Sequence, residues 1–175
     1  DMYKWLEAAA SLLAFDDDDK LAGEIDSVVA LIARTQERDG YIHTDVQIAQ
    51  RAGMDMPRFG NPMDFEMYNM GHLITAACVH HAATGKMNLL TVARKAADYL
   101  GREFHHPTEA RARHGICPSH LMALIDLSRT TGETKYRDLA RRLLDMRDLV
   151  AKAGDDDNQD RIPFRARRGR VGPPT

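Results

Sequence analysis

The stretch from Asp64 to Leu100, DFEMYNMGHLITAACVHHAATGKMNLLTVARKAADYL, constrains the fold more than any other part of the chain. It holds two apolar runs broken at Thr84-Gly85, and in the second run Leu89, Val92, Ala93, Ala96, Ala97 and Leu100 recur at the i, i+3, i+4 spacing of one helical face. Gly85 stands where a left-handed residue ends a helix, a conformation glycine adopts without a Cβ penalty. The stretch is predicted to be a helical hairpin.

Forty-seven residues further on the pattern returns. Ala76 maps onto Ala123, Thr84-Gly85 onto Thr131-Gly132 and Ala93-Arg94 onto Ala140-Arg141, while Leu89, Val92 and Ala97 are answered by Tyr136, Leu139 and Leu144. Agreement of hinge and apolar face together marks a repeat. A single hairpin cannot bury its own apolar face, so hairpins must stack, in an open solenoid or a closed ring.

An earlier hairpin is predicted upstream. Met2, Trp5, Leu6, Ala9, Ala10 and Leu13 form one face of a first helix ending near Phe15, and Leu21, Ile25, Val28, Val29 and Ile32 mark a second that runs to about Gln36. Asp16 to Asp19 lie between them and suit the N-terminus of the second helix, where an acidic side chain accepts orphan backbone N–H groups and complements the helix dipole.

At 175 residues the chain is long enough for one domain with a substantial core, and its 43% hydrophobic and 29% charged residues are ordinary for a globular protein. A net charge of −2 gives no reason to expect a nucleic-acid partner, no apolar run reaches membrane-spanning length, and the first residues lack the layout of a signal peptide. Cys78 sits in an apolar run and reads as a small buried hydrophobe. Two cysteines without a CxxC pair do not suggest a thiolate zinc site.

Two long connections interrupt the helices. Tyr41 to Asp64 shows no helical periodicity and carries Gly53, Pro57, Gly60, Asn61 and Pro62, while Gly101 to Pro118 carries His105, His106, His114 and Cys117. Both follow the second helix of a hairpin, so both are expected at one end of the stack, which makes that end the candidate binding face. Pro118 suits the first turn of the next helix, with Ser119 and His120 in that turn. His114, Cys117 and His120 are spaced three apart but lack a fourth ligand, and no metal site is assigned. After Leu149 the acidic run Asp155 to Asp160, the arginines from Arg161 to Arg170 and a Gly-Pro-Pro end have no apolar period, and the tail is expected to be disordered.

Glu66, Tyr68 and His72 stand where the helix after the first long connection begins, and they are the candidate substrate-binding residues. Tyr68 and His72, four apart, share a helical face, whereas Glu66 points elsewhere. A carboxylate, a phenol and an imidazole there could hydrogen-bond sugar hydroxyls. The structural alternative is that Glu66 supports the helix start and His72 is a bonded core residue.

Five segments in order carry a resemblance: YKWLEAAA from Tyr3, RDGYIHT at Arg38 to Thr44, FEMYNMGHLITAA at Phe65 to Ala77, ATGK at Ala83 to Lys86, and TTGETKYRDLA at Thr130 to Ala140. They resemble glycoside hydrolase family 127, once listed as a domain of unknown function, which contains β-L-arabinofuranosidases. The resemblance implies an all-α fold in which antiparallel hairpins form part of an (α/α)6 barrel, over residues 1–164, with 165–175 a divergent tail. It implies a retaining exo-glycosidase acting on a carbohydrate, in which a zinc-held cysteine thiolate is the nucleophile and a glutamate the acid/base. Those residues belong to a later part of the barrel, so no catalytic residue is assigned here and zinc is expected only in the complete domain. Phe65 and Cys117 stand where family members often carry His. The expected chain is thus three hairpins of six, inactive alone and able to self-associate through exposed helix faces. A non-catalytic helical-repeat module that binds proteins, or another toroid carbohydrate enzyme, would share the hairpins.

Overall fold

The computed structural model describes residues 2–150. Among these residues eight helices follow one another: α1 (Met2–Leu13), α2 (Asp19–Thr35), α3 (Thr44–Arg51), α4 (Glu66–Thr84), α5 (Asn88–Glu103), α6 (Glu109–Ala112), α7 (Ser119–Thr131) and α8 (Thr134–Met146). No strand occurs among the described residues. Short 3-10 turns lie at Pro62–Asp64, Arg113–Gly115 and Arg147–Leu149.

The three expected hairpins are α1–α2, α4–α5 and α7–α8. Gly85 and Gly132 both take the left-handed conformation, at φ 70° and 73°, and donate their N–H groups back to His81 and Ser128 carbonyls at 2.8 and 2.9 Å. The repeat is therefore real at the hinge. It is real in the core as well: Ala76 and Ala123, Leu89 and Tyr136, Val92 and Leu139, and Ala93 and Ala140 are all buried. At the first hairpin Asp18 caps α2 by accepting the Leu21 N–H at 3.0 Å.

The hairpins stack in two layers. α4 lies between α1 and α7 in one layer, and α2, α5 and α8 back them in the other. α4 and α7 approach closely at Gly71 of α4, where an added Cβ would sit 2.6 Å from the backbone N of His120 on α7. No side chain fits there, so a residue without one sets the spacing of the inner helices. The outer layer is tied by polar groups: Gln36 donates to the Val92 carbonyl at 2.9 Å, and Lys135 of α8 meets Asp98 of α5 at 2.8 Å.

Three expectations need correction. The connection Tyr41 to Asp64 contains the helix α3, where none was expected. Its only buried residues are Val46, Gln47 and Ala49, while Ile48 is exposed, so no apolar face announces it. Gln47 docks it instead, accepting the His43 N–H at 3.0 Å and donating to the Thr35 carbonyl at 2.9 Å and to Glu37 at 3.0 Å. A buried amide replaces hydrophobic periodicity as the organising contact. Second, α1 stops at Leu13 rather than near Phe15, which is exposed. Third, Met2 and Trp5 do not share in burial with Leu6, Ala9 and Ala10; they are 50% and 40% exposed. Residues 151–175, including the tail expected to be disordered, lie outside the described residues.

Candidate functional site

The two long connections do meet at one end of the stack. Phe59 from the first packs edge to face on Phe104, at a centroid distance of 4.9 Å, and on His114 from the second at 5.4 Å. Phe59 also approaches Tyr99 of α5 at 6.3 Å. This aromatic junction sits beside the N-terminus of α4. The backbone there is strained, since Phe59 and Phe65 have φ of 50° and 56°, and bulky side chains rarely adopt the left-handed region.

Glu66 is the pin of that junction. It is 2% exposed; one carboxylate oxygen accepts from the Tyr41 hydroxyl and the other accepts from the Phe59 N–H at 2.6 Å. Burial raises its pKa against these two hydrogen bonds, which favour the charged form. Tyr41 is fully buried and its phenol is pushed up by burial and then by the carboxylate, so it stays a donor. The Arg58 guanidinium lies 4.1 Å from the Tyr41 ring centroid and holds Asp39 at 2.6 Å. Glu66 thus fastens the first connection to α4 at two points, Tyr41 and Phe59.

Tyr68 and His72 lie on another side of α4, together. Their rings meet edge to face at 4.4 Å, Phe65 approaches Tyr68 at 6.0 Å, and the Lys4 ammonium of α1 lies 5.3 Å from the Tyr68 centroid. His72 is half-buried; its Nε2 is shielded and has no hydrogen-bond partner. Burial, and then the Lys4 charge, lower its pKa, so at neutral pH the imidazole is uncharged. The structure therefore brings Tyr68 and His72 to one surface and turns Glu66 away from them into the junction.

His43 and Asn69 went unnoticed in the sequence. The His43 ring, 7% exposed, meets the Asn69 side-chain amide at 3.3 Å and leaves Nδ1 without a partner. Both line a cavity of about 350 Å³ with Tyr3, Ile32, Thr35 and Asp45. Their only signal was the resemblance, since His43 lies within RDGYIHT and Asn69 within FEMYNMGHLITAA; nothing local tied one to the other.

Among the described residues no three His, Cys, Asp or Glu side chains converge as a metal would need. His114 packs on phenyl rings, while His120, fully buried, directs Nδ1 at the Cys117 carbonyl at 3.1 Å. Cys78 is buried with a raised thiol pKa, as its apolar setting dictates. The donor set thus does not fit zinc.

Comparison with known proteins adds the following. The profile described as "Beta-L-arabinofuranosidase, GH127 catalytic domain" matches residues 1–173. A non-reducing end β-L-arabinofuranosidase of Bifidobacterium longum subsp. longum is 43% identical over 150 residues, covering 84% of this chain and 22% of that protein. Among solved structures, one titled as a glycoside hydrolase superposes with a TM-score of 0.74 at 42% identity, covering 94% of this chain and 24% of its own. A GH127 β-L-arabinofuranosidase from Geobacillus stearothermophilus T6 gives 0.70 at 33% identity, covering 84% and 23%. The chain spans about a quarter of the length of these relatives.

Proposed function

The chain belongs to glycoside hydrolase family 127, and we propose that it forms three of the six hairpins of an (α/α)6 catalytic barrel. In that role it supplies one wall of a site for an L-arabinofuranoside and leaves the chemistry to residues elsewhere in a complete domain. The reading rests on one observation above all: an uncharged imidazole with a shielded, unpartnered Nε2, set edge to face against a phenol on the inner helix α4. Such a pair offers a hydrogen-bonding atom and an apolar ring surface, which are the two things a furanose presents in turn with its hydroxyls and its C–H face.

Tyr68 and His72 would touch the sugar. Glu66 would act from behind them, because its carboxylate fixes the first long connection against α4 and so holds the rim of the site in place. Zinc in a complete domain would be held by residues other than those described here, and it would supply a thiolate kept ionised at neutral pH. Without that set the chain is expected to bind but not to turn over.

Two measurements test the reading. Adding L-arabinose to isotope-labelled protein should shift the His72 imidazole resonances, and Tyr68→Ala should abolish the response while leaving the far-UV spectrum unchanged. No shift at any sugar concentration would overturn the site. Incubation with p-nitrophenyl β-L-arabinofuranoside should release no nitrophenol above the buffer rate. Release at an ordinary enzymatic rate would overturn the division of labour.

A further inference from the structure

The hinges of the second and third hairpins are built alike, and they differ at one buried position. In each, a threonine hydroxyl donates to the carbonyl four residues earlier, Thr84 to His80 at 2.6 Å and Thr131 to Leu127 at 2.7 Å. The same hydroxyls accept the N–H groups of Lys86 and Glu133, both at 3.2 Å. Each hinge is also tied by an ion pair to the second helix of the hairpin before it. Lys86 holds Asp26 of α2 at 2.6 Å, and Glu133 holds Arg94 of α5 at 2.7 Å. Where the third hairpin buries Leu127, the second buries His80.

His80 is 1% exposed, and neither Nδ1 nor Nε2 has a hydrogen-bond partner. The helices described here already enclose it. Leucine at the sister position shows that packing there asks only for an apolar group of moderate size. An imidazole adds to this a group that ionises near pH 6.5 in water. Burial and then the Lys86 charge lower its pKa, His81 beside it on α4 acts the same way, and Asp26 of α2 opposes them. Of these three neighbours only Asp26 is an acid, and both its oxygens already accept from the Lys86 ammonium, at 2.8 and 2.6 Å.

From this arrangement we propose that the Thr84-Gly85 hinge is an acid-operated latch: a proton taken from solvent by the buried His80 releases the Lys86–Asp26 tie and opens the hinge away from α2. An imidazolium is too costly to keep enclosed without a counter-charge. It gains one if Asp26 turns to it from Lys86, or it reaches water if the hinge moves outward; either route undoes the tie. The open hinge binds the proton near the ordinary value and the closed hinge resists it, so the latch is shut above about pH 6.5 and opens progressively below. The sister hinge, with Leu127 in that place, has no such group and stays shut. The latch lies at the end of α4 away from Tyr68 and His72, and it stands or falls independently of the sugar reading.

Amide hydrogen exchange, read as protection factors at Gly85 and Gly132 between pH 7 and 5, tests this against a control inside the same molecule. The two N–H groups close equivalent bonds, to the His81 and Ser128 carbonyls at 2.8 and 2.9 Å. Protection at Gly85 should fall by about tenfold over that range, since one proton shifts an opening equilibrium by at most about tenfold per pH unit. Protection at Gly132 should hold within about twofold, as a hinge without the titrating group requires. His80→Leu, which installs the sister residue, should abolish the fall at Gly85. Lys86→Met, at an exposed position, should lower Gly85 protection already at pH 7, because the tie is gone. A parallel fall at both glycines would overturn the proposal, as would a steady Gly85 down to pH 5 or a fall that survives in His80→Leu. Wild-type protection at Gly85 in Lys86→Met at pH 7 would overturn it too. If His80→Leu does not fold, the two glycines of the unaltered chain and the Lys86 variant decide the matter.

Discussion

α4 and α1 are both the first helix of a hairpin, yet they live in different surroundings. Ten of the nineteen residues of α4 are buried and they point in every direction, whereas α1 buries Leu6, Ala9 and Ala10 on one side of its twelve. Among the described residues α4 has a helix on each flank, α1 and α7, whereas α1 has α4 on one flank. The difference teaches that burial in this fold is set by rank in the row of hairpins. A residue such as Leu73 is enclosed from two sides, and one such as Leu12 from none.

That contrast can be broken first where it is largest. Leu73→Ala, at a position with no exposure, should cost about 2–5 kcal/mol in denaturant unfolding, from lost burial plus the cavity left between rigid helices. A loss below 1 kcal/mol would mean the inner row is loosely packed.

Next comes pH, which probes the α4–α7 contact through His120. Full burial lowers its pKa from 6.5 to about 4, helped by the Arg147 charge and opposed by the Cys117 carbonyl. Between those values the unfolded chain binds the proton and the folded chain does not, so stability is complete above about pH 6.5 and falls as the pH drops toward 4. The single site contributes at most about 3 kcal/mol of that fall. His72, His80 and His114, also lowered, act in the same direction, while the raised pKa of Glu66 opposes them. His120→Asn should flatten the profile between pH 6.5 and 4, and an unchanged slope would place the effect elsewhere.

The smallest effect sharpens the other side of the comparison. Leu12→Ala, at a position 62% exposed, should change the unfolding free energy by less than about 0.5 kcal/mol in dilute protein. A larger loss at low concentration would show that the α1 flank is covered within a single chain.

The hairpins were legible because glycine at a helix end and an apolar stripe are local signals; Thr84-Gly85 and Thr131-Gly132 carry both. Pro118 likewise marked the start of α7. What escaped was held by polar contacts across distance. α3 hangs on the Gln47 amide, and its exposed Ile48 contradicts the pattern a buried helix would show. At the candidate site, the pairing of Tyr68 with His72 followed from their spacing of four. The commitment of Glu66 to Tyr41 and Phe59 did not, since those residues lie 25 and 7 positions away on a connection without period.

Met2 and Trp5 make the same point from the surface: they belong to the apolar pattern of α1, but nothing in that pattern says whether a helix will lie against them.

By itself, the sequence determined that three helical pairs form, where they turn and which stripe of each is apolar, because helix periodicity and chain reversal depend on residues within one or two turns of each other. Tertiary structure alone decided which stripes find a neighbour, which carboxylate is enclosed and which imidazole keeps an unpartnered nitrogen. Those outcomes depend on how closely separate helices approach, as Gly71 against His120 illustrates, and that distance is written in no single stretch of the chain.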